Sequence, residues 1–454
     1  MRWREHVHIL VSRLVFIVAT MLVLTTSLAY AQRPPTSALN LSYLEIDFIR
    51  PGARATAMGG AFIGAAQDET AGLINPAGLT YVKRLTVSAH SRVITFTDRW
   101  GGNFVFSDPF TVGVVLPIKK FRFGFARHQL ILDDTDFITE QFLTIGSNPT
   151  TRQVLGGVGN FPGKEVDQIL VTFKDNWTIA YEISKRLSIG LTAQHFIILM
   201  NLRDRTFLDP EVASGSAPRG NSAETVYSIT TAEWAEAFRW AGSIGLTANV
   251  ILDKLFFGAV ANRGARFGLG SLIFLPEYKV DSQTFDAEFQ FRPFDFKIPD
   301  SYGLGLYYRA NSRLNLTFDI FRIEYSDLLS GNDLNIVADD EFNEQTKTYE
   351  DPDGQPDLTV ADATEFHVGV EWLIKVQKLG LLLPLRFGVY TDPAHRIHAV
   401  SDDPDLQTLF PEADDRVHFA FGTGLVFRYG KFDVAIDVTD DYNQLFLSWT
   451  LTLP

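Results

Sequence analysis

The chain has 454 residues, a formal net charge of −14 and no cysteine. That acidity argues against nucleic acid as a partner, and the missing thiols exclude disulfides, thiolate nucleophiles and thiolate metal sites. The length fits either several soluble domains or one large barrel, so the pattern along the chain has to decide.

Residues 1–31 read as a secretory signal. Arg2, Arg4 and Arg13 make a positive start, Leu14 to Leu28 is apolar, and Ala29-Tyr30-Ala31 gives a small-x-small cleavage pattern. The apolar run is short for a membrane span, so a leader removed on export is expected rather than an anchor.

Residues 32–84 have a different texture. From Gly52 to Leu79 the chain is dense in Gly and Ala and carries few charges. Small side chains let backbones approach closely, and Gly59-Gly60 permits shapes closed to other residues. Asn75-Pro76 favours a turn, because Asn bonds its own backbone and Pro fixes φ. This stretch reads as a compact, irregular plug.

From residue 85 to 454 the period is two. Leu445, Leu447, Trp449 and Leu451 share one face of the last segment, and Gln444, Phe446, Ser448 and Thr450 the other. The same alternation runs through 187–194, 243–250, 366–372, 419–429 and 432–438. One face is oily and aromatic; the other is small, polar or charged. Short links near 119–120, 185–186, 253–254, 311–312, 377–378 and 430–431 interleave with long polar links near 132–165, 201–232, 268–284, 326–360 and 392–415. This is the plan of an all-β, transmembrane antiparallel barrel in an outer membrane, here of about fourteen strands. Lipid offers the backbone no hydrogen-bond partners, so spanning strands must close into a ring. No run of twenty apolar residues follows the leader, so helical spans are not expected. The partner of the oily face is outer-membrane lipid.

Several features inside that plan are candidates for chemistry. Arg122, Arg239, Arg386 and Arg428 fall on the inward phase, beside Asp319, Glu371, Asp433 and Asp437. A lumenal Arg can hold a ligand carboxylate, although such charges more often pair with each other across the ring. Alternation uses odd positions at Phe289 and Phe291 but even ones at Tyr302 and Leu304, with Pro293 and Pro299 between. A phase flip with prolines implies a break. It means either an opening in the wall or a segment, 285–296, that projects beyond the membrane. The acidic loop 326–360 lacks EF-hand spacing, and His395 and His398 are too loosely spaced for a metal pair, so neither metal nor cofactor is expected. No G-x-S-x-G is present, and an enzyme is not expected.

Met58-Gly59-Gly60-Ala61-Phe62, Asp68 and Asn75-Pro76-Ala77-Gly78-Leu79 resemble the N-terminal hatch of the FadL/TodX-like family of outer-membrane hydrophobic-compound transporters. Gly52-Ala53-Arg54-Ala55 resembles the PorV-type branch as well. The resemblance implies a fourteen-stranded barrel with its N-terminal segment folded inside. It implies a hydrophobic small-molecule ligand, such as a long-chain fatty acid, captured from outside and released when the hatch shifts. Gly59, Gly60, Asp68, Asn75, Pro76 and Ala77 would then be the gating residues, with Asn75-Pro76-Ala77 as the moving turn. The PorV-type likeness implies the alternative of a surface carrier whose partners are secreted proteins. Two departures stand out. Asp68-Glu69-Thr70 replaces the family's Asp-Asp followed by small residues. The chain also ends Leu453-Pro454 rather than on the aromatic residue that barrel assembly machinery recognises.

Overall fold

The structure, a computed structural model, describes residues 48, 50–97, 103–139, 164–207, 228–275, 278–280, 283–285, 288–330, 341–343, 348–350, 358–400, 407, 410–440 and 442–453. The leader, its boundary at residue 31 and most of the acidic loop lie outside the described residues.

The strands follow in order. The first seven are β1 (Thr86–Thr97), β2 (Asn103–Ile118), β3 (Phe121–Thr139), β4 (Lys164–Ser184), β5 (Leu187–Phe207), β6 (Ser228–Ile251) and β7 (Leu255–Arg263). The chain then makes a ribbon of β8 (Arg266–Leu275) with β11 (Glu288–Lys297), with β9 (Tyr278–Val280) pairing β10 (Gln283–Phe285) between them in sequence. Next come β12 (Ser301–Arg309) and β13 (Leu314–Ile323), then the small pair β14 (Glu341–Asn343) and β15 (Thr348–Glu350). After β16 (Leu358–Thr359) run β17 (Ala363–Val376) and β18 (Leu381–Asp392). The two-residue β19 (His398–Ala399) pairs with β16, and β20 (Arg416–Phe427), β21 (Gly430–Val438) and β22 (Tyr442–Thr452) complete the chain.

Fourteen of these close a barrel in the order β1 to β7, β12, β13, β17, β18, β20, β21, β22. The seam is antiparallel, from Thr86↔Thr452 to Phe96↔Tyr442. The pleat sets the faces as the alternation required. Trp449 is 62% exposed while its neighbour Thr450 is 2% exposed. Leu304, Phe366, Phe421 and Ile436 also point outward, and Thr317, Asp319, His367 and Asp433 point inward. A wall that is oily outside and polar inside is a lipid-facing wall. No helix among the described residues is long and apolar enough to cross a membrane.

The ribbon explains the phase flip. Pro293 pairs with Gly270 in the β8–β11 ribbon, off the barrel ladder. The ring passes directly from β7 to β12, and their pairing is unbroken from Ser301↔Asn262 to Tyr308↔Leu255. Pro299 is buried where the chain rejoins the wall. Residues 288–297 therefore belong to a ribbon outside the barrel ladder, and β7 pairs directly with β12 beside it. The rim is uneven: β4, β5 and β6 have 21, 21 and 24 residues, against 9 and 10 in β12 and β13.

The Gly/Ala-rich stretch lies inside this cylinder. It forms α1 (Ala53–Ala57), α2 (Ala71–Ile74) and a 3-10 helix, Pro76–Tyr81. Met58, Phe62, Ala65, Ala66, Ala71 and Leu79 pack with Phe256 and Tyr307 of the wall. The plug fits because the wall presents glycine toward it. A Cβ on Gly305 would stand 2.6 Å from the Gly64 nitrogen, and one on Gly369 would stand 2.6 Å from the Met58 carbonyl oxygen. A Cβ on Gly388 would overlap the Gly59 nitrogen, and one on Gly190 the Pro76 carbonyl carbon. Backbone meets backbone on four strands.

A Gly388→Val variant should therefore keep its barrel and lose its plug. We expect the folded, heat-modifiable band on an unheated gel to persist while trypsin gains access to Arg54. Wild-type protease resistance in that variant would contradict the seating described.

Candidate functional site

The plug is tied to the wall by polar side chains at its turns. Asp319 of β13 accepts the Ile63 N–H at 2.6 Å. Asn75 is fully buried and works in two directions. Its amide donates to the Ile63 carbonyl at 3.0 Å and to the Leu246 carbonyl of β6 at 3.1 Å, while its oxygen accepts the Ala77 N–H at 3.2 Å and caps the 3-10 helix. Pro76 follows at the first helical position, where a missing N–H costs nothing. Gly59 and Gly60 have φ of 63° and 73°, the left-handed region that glycine enters freely. They turn the chain so that the Gly59 carbonyl meets His367 Nδ1 at 2.7 Å.

That last contact constrains a proton. A carbonyl only accepts, so His367 Nδ1 carries hydrogen. Its other nitrogen lies 2.9 Å from a Glu365 carboxylate oxygen. The ring therefore stands between a plug carbonyl and a wall carboxylate.

Below it lies an ion network. Arg54 of the plug bonds Asp68 at 3.1 Å and Glu371 of β17 at 3.2 Å. Lys431 of β21 bridges Asp68 and Glu69, both at 3.1 Å. Arg386 of β18 joins Glu371 at 2.9 Å to Asp433 at 2.7 Å. Burial alone would raise the Asp68 carboxyl, but Lys431 and Arg54 outweigh it and hold it well below the usual carboxylate range. Burial pushes Glu69 up, opposed by Lys431 and reinforced by the Asp68 charge. Two carboxylates sharing one ammonium do not ionise equally.

The predicted residues divide clearly. Gly59, Gly60, Asp68, Asn75, Pro76 and Ala77 all lie in the plug at or near its contacts with the wall. Of the four arginines, Arg386 is buried and pairs within the ring. Arg122 is buried too, but its guanidinium bonds the Val82 carbonyl, where the plug leaves for β1, and the Lys119 and Phe121 carbonyls. The other two do not line the lumen. Arg428 sits in the tight turn after β20, exposed beside Tyr429, because the alternation stops at Phe427. Arg239 is exposed and bonds the Phe238 carbonyl, at a height where β7 has ended and only β5 pairs with β6.

Above the plug is a chamber of about 190 Å³. Its floor includes Ile63, Leu73 and Ile74 of the plug. Leu130, Phe196, Phe321 and Phe446 give it apolar walls, and Glu365, His367, Tyr390 and Asp437 one polar side. Lys174 of β4 lines it as well. Sequence reasoning did not single out Lys174, although the signal was there: Thr172, Lys174, Asn176 and Thr178 form the polar phase of β4. Among the described residues, Asp300, Glu324 and Asp327 are close enough to hold a cation. The Lys297 ammonium already pairs with Asp300 and Asp327 there.

No family model matches the sequence, and no curated protein matches it. Solved structures do. The monoaromatic hydrocarbon channel CymD superposes with a TM-score of 0.56 at 15% identity, covering 90% of this chain and 99% of its own. A Pseudomonas aeruginosa FadL homologue gives 0.56 at 16%, covering 89% and 99%. The P. putida toluene transporter TodX gives 0.54 at 17%, covering 90% and 99%. The fold is that of the FadL- and TodX-type channels. In the FadL-type barrel seen here, the plug and the wall share one set of charges, and Lys431 is the cation that both Asp68 and Glu69 depend on.

Asp68 ionises below its unfolded value, so its stabilising effect is full at neutral pH and is lost as the pH falls through the carboxylate range toward the depressed folded value. Lys431→Met leaves two buried carboxylates with fewer counter-charges, a loss of about 3–5 kcal/mol for a broken buried pair. We expect tryptic cleavage at Arg54 to begin at a higher pH in the variant than in the wild type. Identical pH profiles would show that Lys431 does not hold the plug.

Proposed function

We propose that the protein is an outer-membrane channel for hydrophobic small molecules, gated by the segment 50–84. One observation carries this reading. The plug packs against the barrel wall and lines a largely apolar chamber beside it. A solute in that chamber meets both apolar walls and the plug. The similar structures support the class of cargo, since they are described as a monoaromatic hydrocarbon channel and a toluene transporter.

The proposed mechanism follows from the tethers. A ligand in the chamber presses on Ile63 and Ile74, which stand at either end of the stretch that Asn75 ties together and to β6. Moving that turn breaks the Asn75 bonds to the Ile63 and Leu246 carbonyls. Each lost buried bond costs about 1–3 kcal/mol, a barrier that ligand contact can offset in part. Asn75-Pro76-Ala77 then acts as the moving turn, and Gly59-Gly60 as the pivot held by His367. A long fatty-acyl chain would extend beyond the chamber, whereas single-ring compounds fit inside it. The surface-carrier alternative has no support in the fold or among the similar structures.

Asn75→Ala removes all these bonds at once and leaves the wall intact. In cells expressing the variant, uptake of radiolabelled toluene should change several-fold relative to wild type, with a higher single-channel leak in planar bilayers. Unchanged uptake and leak would remove the plug from the mechanism.

A further inference from the structure

We propose that the chamber selects small amphipathic acids, a single ring or short chain bearing one carboxylate, and that Lys174 supplies the counter-charge. This rests on the channel reading above and narrows its cargo.

The charges around the chamber are unevenly satisfied. On the side of β17 to β21 each carboxylate has partners. Glu365 faces His367 and Arg50, the latter at 3.4 Å. Asp437 accepts from the Tyr390 hydroxyl at 2.7 Å and lies 3.2 Å from His418. Asp392 pairs with Arg416 at 2.7 Å. Across the chamber Lys174 has none: its ammonium makes no hydrogen bond and no ion pair among the described residues. Its cross-strand neighbours are His128 on β3 and Phe196 on β5. His128 is already engaged with Thr111 at 2.7 Å.

An ammonium withdrawn from bulk water favours an anion that enters beside it. A hydrocarbon in the same space would press apolar surface against an unpaired charge. Arg50, Arg92 and Arg263 line the chamber as well as Lys174, together with Asp319, Glu365, Asp392 and Asp437, and Arg50 is taken up by Glu365. Size sets the rest. An apolar cavity of about 150 Å³ holds benzene, and this chamber is about 190 Å³. That suits one ring with a small substituent. The ring would pack on Leu130, Phe196 and Phe446, with its carboxylate toward Lys174.

Benzoate and toluene share a ring and differ in the group at issue. Calorimetric titration of the full-length protein in detergent should show benzoate binding at least ten-fold tighter than toluene. Lys174→Met should lose ten-fold or more in benzoate affinity and keep toluene affinity, and Lys174→Arg should retain most of the benzoate affinity. Heat-modifiable mobility confirms folding of each variant; if Lys174→Met fails it, the wild-type preference and the Lys174→Arg result decide. Equal benzoate binding by wild type and Lys174→Met would overturn the assignment of Lys174 while leaving the channel reading in place. Tighter binding of toluene than benzoate by wild type would overturn the substrate class. Binding of neither ligand would overturn both this proposal and the channel reading.

Discussion

An irregular segment enclosed by strands has little water to satisfy its backbone, so its N–H and C=O groups must find partners in the wall or in the segment itself. Asp319 and Asn75 meet that requirement from opposite sides. The first is a wall carboxylate that takes a plug N–H, and the second is a plug amide that reaches a wall carbonyl. Neither contact is available to a plug held at side-chain distance. The inward glycines of β5, β12, β17 and β18 are what bring the two backbones together. Glycine weakens a strand in general, and here the weakness is offset by the contact it admits.

Charge acts on the same contact. The buried cations and carboxylates between plug and wall form one connected set, running from Lys431 through Asp68, Arg54, Glu371 and Arg386 to Asp433. Buried ion pairs are weak evidence for net stability, because desolvation opposes them. Their value lies in specificity. A plug shifted by one turn would leave several charges without partners, whereas an apolar plug could slide. The His367 ring belongs to the same logic, since it meets both a plug carbonyl and a wall carboxylate.

Much of this was legible in the residues. Period-two alternation gave the faces of β12, β20 and β22, and the interleaving of short and long links gave the strand count. The flip between Phe291 and Tyr302 marked the place where the chain leaves the ring and returns. The plug was visible as a run of small residues. Its tethers were less so, because contacts such as Asp319 with Ile63 join residues 256 positions apart and depend on register. Inward phase alone misjudged two arginines. Arg428 falls just past the end of a strand, and Arg239 stands where a neighbouring strand has stopped. Strand ends, which alternation does not define, decided both. Lys174 was overlooked because one lysine on a polar face carries no motif; only the chamber around it gives it meaning.

The central claim is that residues 52–84 are seated inside the barrel against the wall. Thr80 of the 3-10 helix and Ser188 of β5 have their hydroxyl oxygens 2.9 Å apart, and the protein has no cysteine to complicate labelling. A Thr80→Cys/Ser188→Cys double variant should form its disulfide nearly completely in intact outer membranes, read as a reducible mobility shift. Two free thiols that remain reactive in the folded barrel would contradict the account.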